Sequence, residues 1–425
     1  MLAEVGSLPV VLRAILSAQK AGADHIIVAV NPVSATTIRC RLVDTGRLPS
    51  SIDWVGVSEQ GVTLPRALGR AAANANRVML IFGDRAYHPS LHRMIGDWDG
   101  SGDALELTTA DKPIGLTTLS RDLALDLASD PDSHMFTLED LHDWIARRGA
   151  VVQRQGVPED LWQDVASPED RLSAERKLDH WLVKPTDGIF AWMNRRVSIP
   201  ISRQLIKFPI TPNMVSLFTL LVSFLAGAYF AMGGYWNTLL GAVLSVWASI
   251  LDGSDGEVAR LKLLASDFGA WLETICDYLY YLFIFAGMAI GLARSTGKAS
   301  FLAWGGALFI GAILSFIVAG FGRQRLSGDR PEQYLAVWQK KAEGHLTNPL
   351  IYVGRYTEFI IRRCFLPYAL LGLALLNLTA AALYLSAIGA NLVWIISLCS
   401  HLTFSSKRGS GLPRSEAHAT KSLAV

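Results

Sequence analysis

Charge is scarce in this chain of 425 residues. Lys and Arg number 39 and Asp and Glu 37, together 18%, where soluble proteins carry about 25%. With a hydrophobic fraction of 51%, part of the chain belongs in lipid. The net charge of +2 is too small, and basic tracts with interleaved aromatics too few, for a nucleic-acid partner. Cysteine is also sparse. Cys40, Cys276, Cys364 and Cys399 show no CxxC spacing, and three lie in apolar segments. They read as buried thiols, not as disulfides or metal ligands. The N-terminus has no basic region followed by an apolar core, so no cleaved signal is expected. The length suggests two or three domains.

The first 180 residues are mixed. "LPVVLRAILSAQKAGA" from Leu8 has helical spacing of apolar residues, and "HIIVAVN" from His25 and "VMLIFGD" from Val78 are buried-strand runs. "ALELTTA" from Ala104 alternates as a strand with one buried face would. "TLEDLHDWIARRG" from Thr137 has a Thr start, early acids, late arginines and a Gly stop, all helix signals. Helices alternating with apolar strands predict an open α/β sheet.

Past residue 180 the composition changes. "KPTDGIFAWMNRRVSIPISRQLIKFPITPN" is basic, aromatic and broken by prolines. It reads as an amphipathic interfacial segment over residues 181–212. Six apolar runs long enough to span follow, at Met214–Met232, Trp236–Ile250, Gly269–Gly291, Ser300–Gly320, Phe365–Tyr384 and Ala387–Thr403. The second is short unless its helix continues past Asp252. A membrane domain over residues 213–404 and a tail over 405–425 result. Lys and Arg choose the side. The loop after the fourth span holds Arg323, Arg325, Arg330, Lys340, Lys341, Arg355, Arg362 and Arg363. Arg195, Arg196, Arg203 and Lys207 precede the first span, and Lys407, Arg408, Arg414 and Lys421 follow the last. A multi-pass protein of the cell membrane with both termini cytoplasmic is expected.

Acids crowd where spans two and three meet, in "LDGSDGEVARLKLLASDFGAWLETICDYLYYL" from Leu251 to Leu282. Asp252, Asp255 and Ala259 share one helix face, and Gly269, Glu273 and Asp277 share a face of the next. Two helices joined by a short turn aim four carboxylates at one region. Such charges do not all stay ionised beside hydrocarbon without a cation, and oxygen ligands suit Mg²⁺, Mn²⁺ or Ca²⁺. A metal of this kind serves phosphate chemistry. Gly256 and Gly269 leave room for close approach of a ligand. Glu257 and Asp267 read as solvated helix caps.

Asp252-x-x-Asp255-Gly256-x-x-Ala259-Arg260, eight residues, then Gly269-x-x-x-Glu273-x-x-x-Asp277 resembles the signature of the CDP-alcohol phosphotransferases, with Glu273 where that family has a third Asp. "TPN" at Thr211–Asn213 and "RYTEF" at Arg355–Phe359 resemble further family segments. The resemblance implies an α-helical integral membrane fold of six spans. It implies transfer of a phosphoalcohol group from a CDP-alcohol to a hydroxyl acceptor with release of CMP, in phospholipid or inositol-phosphate-type synthesis. It implies membrane lipids as surroundings and a homodimer. By resemblance, Asp252, Asp255, Glu273 and Asp277 form the Mg²⁺ or Mn²⁺ site, and Asp277 is also the base. Gly256, Ala259, Arg260, Gly269 and Asn213 border the donor. Arg203, Lys207, Arg323, Arg325 and Arg355 could hold an acceptor phosphate or serve as positive-inside anchors.

The front region, residues 1–180, resembles sugar-phosphate nucleotidyltransferases, which are α/β and Rossmann-like, in "GSLPVVLRAILSAQKAGADHIIVAV", "FGDRAYHPSLHRMI" and "WQDVASPEDRLSAERKL". Together the regions resemble the bifunctional inositol-phosphate cytidylyltransferase/di-myo-inositol-phosphate phosphate synthases. The Gly-rich triphosphate loop belongs before Gly6, where five residues stand, and Ala166 replaces a second Asp beside Asp84. An inactive domain is expected, with cytidylyltransferase activity as the alternative. Two further classes stay open. A dead membrane scaffold would release no CMP, and an ion transporter would line acids along a path instead of clustering them at one face.

Overall fold

The structure, a computed structural model, describes residues 2–30, 32–56, 63–73, 75–130, 138–183, 187–327 and 364–406. The chain divides into two compact units, Met1–Lys184 with Arg260–Leu264, and Pro185–Ala259 with Ala265–Val425.

The first unit is α/β. Its strands are β1 (Glu4–Val5), β2 (Leu8–Pro9), β3 (Ile26–Val30), β4 (Ile52–Gly56), β5 (Arg77–Ile81), β6 (Arg85–Tyr87), β7 (Ala104–Thr109), β8 (Lys112–Ser120), β9 (Val152–Gly156) and β10 (Trp162–Asp164). Its helices are α1 (Val10–Lys20), α2 (Pro32–Val43), α3 (Thr63–Ala73), α4 (Pro89–Gly96), α5 (Arg121–Ser129), α6 (Leu138–Arg147) and α7 (Pro168–Leu182). A mixed sheet runs β5-β8-β7-β9, parallel only between β7 and β9, and β3 pairs parallel with β4. The expected one-sided alternation of β7 does not hold. Ala104 to Thr108 are all buried. Ala104 packs into one apolar cluster with α5 and α6, while Leu105 and Leu107 pack into another with α4. An inner strand covered on both faces loses its polar side. The second small correction is Cys40, which is exposed. Ile38 and Leu42, four apart on α2, face the core instead.

Arg13 is buried in this unit and donates from Nη2 to the carbonyls of Val5 at 3.0 Å and Leu261 at 2.6 Å. Leu263 completes the same apolar cluster as Leu12 and Ile15. Arg47 donates to the Leu263 carbonyl at 3.2 Å.

The second unit is helical: α8 (Ile189–Leu205), α9 (Pro212–Met232), α10 (Tyr235–Leu261), α11 (Asp267–Thr296), α12 (Ser300–Ser327), α13 (Phe365–Leu375) and α14 (Thr379–Ser406). Its polarity is inverted. On α9, Met214, Leu217, Phe218, Leu221 and Phe224 are exposed, while Ser216, Thr219 and Ser223 are buried. On α8, Ile189, Trp192, Met193 and Val197 are exposed, while Asn194, Ser198 and Ser202 are buried. A helix that turns apolar residues outward and polar ones inward suits lipid as its solvent, because hydrogen bonds must then be made within the protein. This is the membrane-type domain.

Among the described residues, three helices are long and apolar enough to cross a membrane: α9, α11 and the Thr379–Ile396 part of α14. Six were expected. α10 does continue past Asp252 without a break. The expected fifth span, Phe365–Tyr384, is divided. α13 ends at Leu375, Asn377 adopts a left-handed φ of 57°, and α14 starts at Thr379, running through the expected break before Ala387. Asn tolerates that conformation better than most residues, so a polar residue in an apolar run marks a turn. The basic residues at 330–363 and 407–421 lie outside the described residues.

α9 and α11 touch backbone to backbone. A Cβ on Gly287 would overlap the Gly227 carbonyl, and one on Gly291 the Phe230 carbonyl. Gly287 and Gly291 are four apart, so they form the small-residue seam that lets membrane helices approach closely. Gly287→Val should therefore destabilise the helical unit by at least about 1–3 kcal/mol, the range for overpacking. A lower thermal midpoint in detergent, followed by size exclusion, checks this.

Candidate active site

The site forms where the start of α9, the end of α10 and the start of α11 meet. Each start is capped. Thr211 Oγ1 accepts from the Met214 amide at 3.4 Å, with Pro212 next. Ser266 Oγ accepts from the Gly269 amide at 3.1 Å. Only a few residues separate α10 from α11, and Leu263 among them has a φ of 53°. This tight connection returns the chain so that the two acidic helix ends adjoin.

Asp255 is 4% exposed. Its Oδ2 accepts from Ser216 Oγ at 2.6 Å, and its Oδ1 from the Gly256 amide at 2.5 Å. The charges of Asp252, and of Glu273 on α11, both act on it. Asp252, Gly256, Ala259 and Asp277 are half-buried, and Glu273 is exposed. Gly269 and Asn213 come together: a Cβ on Gly269 would lie 3.2 Å from Ser266 Oγ and 3.5 Å from Asn213 Oδ1. Arg260 is the last residue but one of α10 and belongs to the first unit's set of residues. Among the described residues, no three His, Cys, Asp or Glu side chains stand close enough to hold a metal ion. The donor chemistry itself, carboxylates only, fits a hard divalent cation.

Lys207 is exposed and donates to Gln204 Oε1 at 3.0 Å, and Arg203 is half-buried on α8. The side chains of Arg323 and Arg325, and the whole of Arg355, lie outside the described residues.

Two residues were misread or missed. Asp267 is exposed in the first turn of α11, as a solvated cap should be. Glu257 is not solvated. It has no exposure and accepts from Arg195, Ser198 and Ser202. Charge beside a glycine in a polar motif looks solvated in sequence, and only the neighbouring helix makes it interior. Ser216 carried a usable signal: with Thr219 and Ser223 it forms a polar stripe in an otherwise apolar span.

In the first unit, Asp84 follows β5. β6 and β10 pair so that Arg85 opposes Asp164. Arg85 Nε lies 3.5 Å from Asp164 Oδ1 and 3.9 Å from Asp84 Oδ1, and its guanidinium covers the rings of Phe82 and Trp162. A cation thus sits between the two acids. Ala166, two residues beyond Asp164, supplies no carboxylate.

Residues 209–343 match the family model described as CDP-alcohol phosphatidyltransferase. Curated relatives include a bifunctional IPC transferase and DIPP synthase of Aquifex aeolicus, 35% identical over 181 residues, which are 42% of this chain and 39% of that protein. One of the same description from Rubrobacter xylanophilus is 34% identical over 184 residues, 42% and 41% of the respective chains. The chain therefore matches about two fifths of the length of these relatives. Among solved structures, the manganese complex of Rv0371c from Mycobacterium tuberculosis is 20% identical, with a TM-score of 0.34 over 41% of this chain and 90% of that one. HddC from Yersinia pseudotuberculosis is 16% identical, with a TM-score of 0.32 over 41% and 88%.

The Ser216 hydroxyl holds one oxygen of Asp255, which leaves the carboxylate a single orientation. Removing a partner that orients a metal ligand typically costs about 10–100-fold in metal affinity. Ser216→Ala should weaken Mn²⁺ binding by that factor, and Asp252→Asn should weaken it too, both read by titration of the purified protein.

Proposed function

We propose, on the premise that residues 209–343 carry a CDP-alcohol phosphatidyltransferase domain, that the protein transfers a phosphoalcohol group from a CDP-alcohol to a hydroxyl acceptor and releases CMP. The names of its curated relatives, IPC transferase and DIPP synthase, favour an inositol-phosphate-type alcohol among the reactants. The observation that carries the reading is Asp255, oriented by Ser216 and under the charges of Asp252 and Glu273. Asp252, Asp255 and Glu273 would hold Mg²⁺ or Mn²⁺. Such an ion, when bound, neutralises the donor diphosphate and the leaving CMP.

The chain's own residues do the rest. Gly256, Ala259, Arg260 and Gly269 would border the donor, and Asn213 stands beside Gly269. Asp277 lies one turn along α11 from Glu273 and is half-buried. It takes the acceptor's proton as the hydroxyl oxygen bonds to the phosphorus that carries the alcohol. The bond from that phosphorus to the CMP oxygen breaks, and CMP leaves with the electron pair. Arg203, Lys207, Arg323, Arg325 and Arg355 are the candidates for an acceptor phosphate. The reading includes six spans in the cell membrane, both termini in the cytoplasm, and a homodimer.

For the front unit we propose no cytidylyltransferase activity. The Arg85 guanidinium lies between Asp84 and Asp164 and offsets one of their two charges, and Ala166 cannot bind a metal. With CTP and inositol 1-phosphate the protein should release no pyrophosphate; release at an ordinary enzymatic rate would make the protein bifunctional.

CMP release from a panel of CDP-alcohols, with glycerol phosphate, inositol phosphate and lipid hydroxyl acceptors, tests the main reading. A general base contributes about 10²–10⁴-fold. Asp277→Asn should lower turnover by that factor and leave donor binding largely intact. Glu273→Ala should lose metal and donor binding together, and Glu273→Asp should keep or raise activity. If neither wild type nor Glu273→Asp releases CMP with any pair, and Asp277→Asn has no effect in the cell, the transferase reading fails and the membrane-scaffold reading takes its place.

A further inference from the structure

Glu257 lies two residues beyond Asp255 on α10 and has no exposure. At about 100° per residue, its side chain leaves the helix on the side away from Asp255, so it is no ligand of the acidic cluster. Both its oxygens are engaged by one face of α8. Arg195 Nη1 donates to Oε1 at 2.7 Å, Ser198 Oγ to Oε1 at 2.5 Å, and Ser202 Oγ to Oε2 at 2.6 Å. Arg195 is itself balanced by Asp187, 3.3 Å from Nε.

The same stripe of α10 is fastened further along. Gly253, one turn earlier, faces α8 closely enough that an added Cβ would lie 3.5 Å from Ser198 Oγ and 3.6 Å from Arg195 Nη1. Ser249, another turn back, accepts from Asn194 Nδ2 at its carbonyl (3.3 Å) and its hydroxyl (3.2 Å). On the other side of α10, Ser216 of α9 holds Asp255. Burying a charge pair is a poor route to stability, and its best-attested use is to fix register. A carboxylate gripped at both oxygens fixes how a helix is turned about its axis.

We propose that Glu257 is a positioning residue. Held by Arg195, Ser198 and Ser202, it sets the rotation of α10, and hence the direction in which Asp252 and Asp255 present their oxygens to a divalent cation. This rests on the metal-site reading above. A pair serving only to hold α8 to the bundle would matter to folding and not to metal affinity.

The test uses the full chain in detergent, titrated with Mn²⁺ and followed by the paramagnetic resonance signal of the free ion. Glu257→Gln keeps the shape and leaves Asp187 to balance Arg195. The double variant Ser198→Ala with Ser202→Ala keeps the ion pair and removes two donors. Both should raise the Kd for Mn²⁺ about 10–100-fold, as loss of outer-shell support typically does, in protein that stays monodisperse. In CMP release from CDP-inositol, half-activation by Mn²⁺ should rise by the same factor, while turnover at saturating Mn²⁺ recovers most of the wild-type rate. An unchanged Kd in the folded variants overturns the inference, even if less folded protein is recovered. Should Glu257→Gln fail to fold, the serine pair decides by the same readout. Mn²⁺ binding that the variants weaken, in a protein that never releases CMP, upholds the positioning role and sinks the transferase reading. CMP release with an unchanged Kd does the opposite. A wild type that binds no Mn²⁺ ends the positioning inference.

Discussion

The contact of α9 with α11, carbonyl against glycine, is the constraint on which the helical unit depends. Gly227, Gly287 and Gly291 leave no side chain between the two backbones. In lipid, apolar side chains gain little by leaving their surroundings, so close van der Waals packing and internal hydrogen bonds must supply the association. The same apposition persists to the other end of these helices, where Asn213 of α9 meets Gly269 of α11. The third helix, α10, is fastened at that end through Ser216 and Asp255. The acidic cluster is therefore the product of three helices whose mutual placement is fixed elsewhere.

The polar interior follows from the same solvent. Ser216 faces inward on α9, and Asn194, Ser198 and Ser202 on α8, where each meets a partner on α10 that an apolar exterior would not offer. Ser245 finds Tyr280 at 2.6 Å, and Tyr368 donates to Asn194 at 2.7 Å. Each such bond links two helices. Glu257 is the extreme case, a full charge made interior by three donors from a neighbouring helix. The front unit solves a different problem. There Arg85 lies between Asp84 and Asp164 and stacks against aromatic rings, so the chain itself supplies a cation beside the two acids.

Much of this was legible in order along the chain. Scarce charge and long apolar runs announced helices in lipid. Three-and-four spacing put Asp252 with Asp255 and Glu273 with Asp277, and the helices formed there as expected. The strand runs at His25 and Val78 became β3 and β5. Less legible were features set by neighbours distant in sequence. β7 alternates in hydrophobicity, yet both faces are covered, and Glu106 is buried on it. Cys40 stands on α2 between Arg39 and Arg41 and is exposed, while Ile38 and Leu42 on the same helix face the core. The run after Phe365 is apolar on average, so mean hydropathy passed over the turn that Asn377 makes.

What the sequence determined by itself is the solvent of each region, the helical phase of the acidic motif and the chemistry of its oxygen donors. These depend on composition and on spacing within single helices, which local physics fixes. What only the tertiary structure decided is which side chains are held and by whom. Ser216 on Asp255, 39 residues apart, and Arg195, Ser198 and Ser202 on Glu257, 55 to 62 residues apart, are long-range contacts. No local pattern encodes them, because the rotation of one helix against another is set by all the helices packed around it.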